Sequence, residues 1–173
     1  MKKISIMLFL IFMMSFCFAQ SNDASKIETE YYGLKWGCSV QDLKNKYPEA
    51  VFFDKNNEGD EVYSINNGES IRMFFFGEGK LYLCRLGYSN CSMDKMLAIV
   101  KKINDTYGVF NDSSKGTDFV KFIWNYSSKI DIDCMSKVVD NKYIAFMISY
   151  TNNELRTKII KERVNKMQDD LEL

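Results

Sequence analysis

Three short apolar runs joined by turn residues restrict this chain more than anything else in it. The runs are Glu61 to Ile65, Ile71 to Phe76 and Lys80 to Tyr88. Between them stand Asn66-Asn67-Gly68 and Gly77-Glu78-Gly79, residues that tolerate positive φ. Runs this short, rich in β-branched and aromatic residues and closed by such joints, predict consecutive antiparallel strands. A second set follows at Phe119 to Tyr126, Lys129 to Met135 and Lys142 to Tyr150, with a turn at Asp140-Asn141. Within it, Ile130-Asp131-Ile132-Asp133-Cys134 alternates cleanly. Its isoleucines and Cys134 are expected to face a core, and its aspartates water.

Helical periodicity precedes each set. Val40, Leu43 and Tyr47 recur at i, i+3, i+7 behind Ser39 as N-cap and Asp42 as a capping-box partner; Pro48 ends the helix, and Ala50 to Phe53 follows as an extended piece. Met93, Met96, Leu97, Val100, Ile103 and Tyr107 form a longer stripe, closed by Gly108 and followed by a polar loop, Asn111 to Gly116. A last helix opens at Thr151, with Glu154 completing a capping box. Leu155, Ile160, Val164, Met167 and Leu171 lie mostly on one face of it. The expected fold is α+β, in the order α-βββ-α-βββ-α. About six antiparallel strands form two meanders, with the helices packed on one face. Cys38-Ser39 and Cys91-Ser92 open the first two helices, so residues 31–88 and 89–150 read as two pseudo-repeats inside one domain, 31–173, that ends in the helix 151–173.

The amino terminus reads as an address. Lys2 and Lys3 precede an apolar stretch, Ile4 to Phe18, and Ala19 follows with the small Cys17 two positions before it. That layout predicts a signal peptide, 1–19, cut after Ala19, and a periplasmic or secreted mature chain. Bulky Phe16 argues against lipid anchoring at Cys17. Residues 20–30 read as a flexible linker, and no later segment has spanning length. Without the two signal lysines the balance is 21 basic against 23 acidic residues, well interspersed, which offers no field for nucleic acid.

The segments Trp-Gly-x-Ser-Val-x-x-Leu-x-x-x-Tyr-Pro (Trp36 to Pro48), KLYLCRLGYS (Lys80 to Ser89), the helix ending Thr106-Tyr107-Gly108, and Trp124 with Ile130, Ile132 and Cys134 carry a resemblance. Together they resemble small exported bacterial proteins of unknown function, built as tandem helix-plus-meander units similar in layout to beta-lactamase inhibitory proteins. The resemblance covers Tyr31 to Tyr150 and implies architecture. It carries no functional residue over, and inhibition of a beta-lactamase does not follow from it.

The chain has no histidine, which removes Ser-His-Asp and Cys-His nucleophilic sites and the usual zinc ligand sets that include it. Cys38, Cys84, Cys91 and Cys134 remain after cleavage, an even number that suits disulfides with three alternative pairings. Cys84 and Cys91 would meet if the chain folded back between them; Cys38 and Cys91 would join two helix starts, where a dipole also lowers a thiol pKa. Asp54, Asn56, Glu58 and Gly59 match the start of a calcium loop, but Ile65 stands where its bidentate glutamate belongs, so a solvated turn is expected. Asp131 and Asp133 share one strand face, as the wet side of a sheet would have them. The aromatic groups Tyr31, Tyr32, Trp36 and Phe74 to Phe76 supply candidate binding-surface residues, foremost Tyr31, Tyr32, Trp36, Phe74 and Phe76. No catalytic, metal or cofactor site is assigned. The chain reads as an exported, non-catalytic binding or envelope-interaction protein, with another envelope protein or a cell-surface component as partner. The alternative is a carboxylate-dependent hydrolase of envelope material.

Overall fold

The computed structural model describes residues 24–116, 118–138 and 144–170. The signal segment, the Asp140-Asn141 turn, Lys142 and Leu171 lie outside them. The fold is α+β and antiparallel. After a helical turn at 24–26 come β1 (Glu30–Tyr31) and β2 (Leu34–Lys35), which pair with each other, then α1 (Val40–Lys46). Four strands follow: β3 (Val51–Lys55), β4 (Glu61–Asn66), β5 (Ile71–Gly77) and β6 (Lys80–Cys91). Then come α2 (Met93–Tyr107), β7 (Asp112–Lys115), β8 (Phe119–Asn125), β9 (Ile130–Val138), β10 (Ile144–Asn152) and α3 (Asn153–Asp170).

The expected layout of six strands in two meanders is therefore corrected. One sheet holds eight strands in the order β3-β4-β5-β6-β10-β9-β8-β7. The two additional strands are its edges. β3 is the piece read only as extended, and β7 lies inside the stretch read as a polar loop. Every residue of both is exposed, so neither shows the alternation that a half-buried strand requires. The edges differ in kind: β3 presents Val51, Phe52 and Phe53 to solvent, whereas β7 is Asp-Ser-Ser-Lys.

Local chemistry places the helices. Asp42 N–H donates to Ser39 Oγ at 3.2 Å and Ser39 N–H to Asp42 Oδ2 at 2.8 Å, closing the capping box of α1. Ser92 Oγ accepts from Lys95 N–H at 3.2 Å, and Gly108, at φ 90°, ends α2. α3 starts later than Thr151, because β10 stays paired with β9 through Asn152. The cap is Asn152, whose Oδ1 accepts from Leu155 N–H at 3.0 Å.

The helices do not share one face. Alternation along β5 sends Phe74 and Phe76 to one side, where they pack with Leu43 of α1, Met96, Val100 and Ile103 of α2, and Cys84, Ile130, Ile132 and Cys134 of the sheet. Phe75 points the other way and meets Val62, Leu83 and Ile159 of α3. Three consecutive phenylalanines are accommodated because α3 covers the far side of the first half-sheet. The stripe expected on α3 is also corrected: Ile160, Val164 and Met167 are exposed, and Leu155 and Ile159 face the sheet.

Ion pairs hold α3 down. A bulge in β6 leaves Tyr82 unpaired between Leu81 and Leu83 and turns it to the far side. There its hydroxyl donates to the fully buried Asp60 at 2.6 Å. Asn56 Nδ2 donates to the same carboxylate at 2.7 Å, and Arg163 of α3 completes the cluster. Arg163 and Lys166 also reach Glu78, and Lys80 Nζ lies 2.9 Å from Glu162. The helix passes close over Gly77. A Cβ there would sit 2.8 Å from Ile159 and 2.9 Å from Asp60. Gly77→Ala is accordingly expected to cost about 1–3 kcal/mol by overpacking. A urea unfolding curve checks this, and an unchanged midpoint would show that α3 lifts freely.

Candidate functional site

The sheet side that carries α1 and α2 is not filled completely. Between α2, the amino-terminal arm and strands β6 and β10 lies a cavity of about 590 Å³, within the range of small-ligand sites. Its apolar wall is Ile27 of the arm, Leu86 and Ile148 of the sheet, and Ile99 and Ile103 of α2. Tyrosines supply much of the remainder: Tyr31, Tyr32, Tyr88, Tyr107 and Tyr150. Lys26, Lys102 and Glu30 also line it.

The arm expected as a flexible linker is packed from Ala24 onward. Ile27 is buried, Trp36 Nε1 donates to its carbonyl at 2.7 Å, and Tyr126 Oη donates to the carbonyl of Ala24 at 3.0 Å. β1 and β2 turn at Tyr32-Gly33, with φ of 50° and 70°, so a bulky side chain occupies backbone space that favours glycine. Tyr47 Oη donates to the Tyr32 carbonyl at 2.9 Å and anchors that turn to the end of α1.

Tyr31 is the unusual member of the lining. It is only 3% exposed, its ring centre lies 4.9 Å from that of Tyr150 and 4.7 Å from that of Tyr32, and its hydroxyl has no hydrogen-bond partner among the described residues. Leaving a buried hydroxyl unpaired costs about 1–3 kcal/mol. Burial, then the neighbouring Tyr150, Cys84 and Tyr32, push its pKa well up against the opposite pull of Arg72, so the phenol remains a neutral donor.

Arg72 is not part of the cavity wall but lies behind it, against the lining residue Tyr32. On β5 it is cross-strand neighbour to Leu86, and its guanidinium carbon lies 3.8 Å from the centre of the Tyr32 ring and 6.0 Å from that of Tyr47. Its Nε is buried without a partner, and among the described residues no carboxylate comes within ion-pair distance. A half-buried cation held by aromatic faces alone keeps its hydrogen-bonding edge uncommitted.

The other candidates fall elsewhere. Phe74 and Phe76 are core residues, not surface aromatics, and Trp36 is half-buried with its N–H committed. Cys38, Cys84, Cys91 and Cys134, the cysteines among the described residues, are free thiols. The fold-back proposed between Cys84 and Cys91 is corrected: both lie in the continuous strand β6, and seven residues of extended chain separate them by about 23 Å, far beyond the 7 Å a disulfide tolerates. Cys84 and Cys134 are on strands with β10 between them, about 9.6 Å apart at the least. Burial, reinforced by Asp42, pushes the Cys38 thiol up to about 11, and burial also raises Cys91. Position at a helix start therefore does not yield a thiolate. The calcium-like loop forms a self-contained turn in which Asn56 Oδ1 accepts from Glu58 N–H and Asp60 N–H. Asp131 and Asp133 lie on the far face of β9. Burial raises the Asp133 carboxyl despite Lys121, Arg85 and a hydrogen bond from Ser149.

Sequence reasoning missed Arg72, yet a signal existed. It stands two places before Phe74 on the side of β5 that faces α1 and α2, where an apolar residue belongs. No described helix is long and apolar enough to cross a membrane, and no group of three or more acidic or cysteine ligands gathers among the described residues. Comparison with protein-family models, curated proteins and solved structures finds no match for this chain.

Proposed function

We propose that the chain is an exported, non-catalytic binding protein of the cell envelope and that the tyrosine-lined cavity is where it binds. The observation that carries this reading is Tyr31, a residue of the cavity lining whose buried hydroxyl has nothing to donate to among the described residues. A group kept at a stability cost is understandable where a ligand satisfies it. The layout of signal-like amino terminus and packed mature domain supports export, and the lack of histidine supports binding over nucleophilic or zinc chemistry. The hydrolase alternative needs two converging carboxylates, and the cavity lining brings one, Glu30.

Two measurements on the mature chain test this. Tyr31→Phe removes the unpaired hydroxyl and keeps the ring, so it is expected to raise unfolding stability, by up to about 1–3 kcal/mol. A fall in stability would mean the hydroxyl is already satisfied. Separately, the neutral fluorescent probe N-phenyl-1-naphthylamine is expected to brighten with the wild-type chain and much less with Ile99→Trp, which fills the cavity. Absence of any brightening counts against the cavity as a binding site.

A further inference from the structure

We infer that the cavity's ligand is a small amphiphilic carboxylate, an apolar body whose oxyanion is received between Tyr31 and Arg72. This rests on the cavity being the binding site and adds the chemistry of the head group. Three observations converge on it. Tyr31 offers a buried, unpaired O–H donor. Arg72 offers a guanidinium whose buried Nε has no partner and which no carboxylate neutralises among the described residues. Its guanidinium carbon sits 3.8 Å from the centre of the Tyr32 ring, and its unpartnered Nε is left for an oxyanion. One ring, Tyr32, touches both residues: its centre lies 4.7 Å from that of Tyr31 and 3.8 Å from the Arg72 guanidinium carbon.

Charge points the same way. Lys26 and Lys102 line the cavity without an ion pair among the described residues, against the single acid Glu30, in a chain whose formal net charge is zero. The isoleucine and leucine walls, meanwhile, exclude a purely polar anion such as inorganic phosphate as the natural occupant, because burying those walls against a hydrated ion gains nothing. An oxyanion on a hydrocarbon or aryl body satisfies both halves of the site.

Calorimetric titration of the mature chain with decanoate, decan-1-ol and decyltrimethylammonium, each below its micelle concentration, separates the possibilities. Decanoate is expected to bind about tenfold or more tighter than decanol, and the cation weakest of the three. Arg72→Met should bring decanoate down to the level of decanol and leave decanol unchanged. Arg72→Lys should recover only part of the loss, because a point charge replaces a planar fork. If Arg72→Met fails to fold by circular dichroism, Tyr31→Phe takes its place, with weaker decanoate and unchanged decanol expected. Decanoate binding no tighter than decanol overturns the proposal; if the naphthylamine probe still enters, the cavity reading stands without it. If neither alkyl compound nor the probe binds, both fall. Flotation with phosphatidylglycerol vesicles, without uptake of free decanoate, would mean a surface contact with lipid head groups and would also overturn it.

Discussion

Asp60→Ala is expected to remove about 3–5 kcal/mol of folding stability, measurable as a lower urea midpoint. The carboxylate is fully buried and accepts from Arg163, Tyr82 and Asn56 at once. Deleting it leaves a guanidinium that is only 16% exposed and a phenol O–H without an acceptor, beneath a helix that cannot tilt to let in water without unpacking Ile159. Asp60→Asn keeps the shape and is expected to lie between the two. A change of under about 0.5 kcal/mol, the range of an ordinary surface substitution, would show the cluster to be ornamental.

The same carboxylate gives an acid signature. Burial alone would raise its pKa, but the hydrogen bonds from Arg163, Tyr82 and Asn56, with the charge of Arg163, outweigh that and hold it below the usual range. A depressed carboxyl contributes stability that is fully present above its unfolded value, about 3.9, and is lost as pH falls through its folded value. Wild-type stability should therefore fall more steeply than that of Asp60→Asn as the pH drops below about 4. Parallel profiles in the two proteins would contradict this.

The second large effect is expected at Trp124, where alanine should cost about 3–5 kcal/mol. The indole is 1% exposed, and its ring centre lies 6.0 Å from that of Phe110. Its Nε1 donates to Asn104 Oδ1 at 3.0 Å and to the Gly108 carbonyl at 2.9 Å, so it fastens the end of α2 to β8. Trp124→Phe separates the two contributions. It retains much of the packing but removes the donor, and should lose about 1–3 kcal/mol, the cost of leaving buried acceptors unpaired. Because α2 forms one wall of the cavity, binding of the naphthylamine probe should weaken as well. Normal probe binding in a destabilised Trp124→Phe would show that the carboxyl end of α2 does not position the wall.

Where side chains alternate between a core and water, the sequence could be read directly. Ile130, Ile132 and Cys134 are all fully buried, with Asp131 and Asp133 on the opposite face, as their period of two requires. Ser39 with Asp42, and Ser92, marked their helix starts because capping is a local interaction. What escaped was non-local or one-sided. β3 and β7 have no buried face and hence no pattern. Asp60 looked like one acid among several in a polar loop, because its partner Arg163 is 103 positions away. The cavity assembles residues of the arm, β6, α2 and β10, which no spacing in the sequence connects, although the aromatic cluster around Tyr31 and Tyr32 is visible in it.

The order in which the chain is made gives α3 a temporal role. Lys80, Glu78 and Asp60 await partners 82 to 103 positions further on, so the first half of the sheet keeps its outer side open until α3 arrives. Contacts this distant in sequence slow folding, and they postpone closure of this side until α3 has been made. Export, as proposed, would gain from such a fastening, since the strands can thread before α3 locks them.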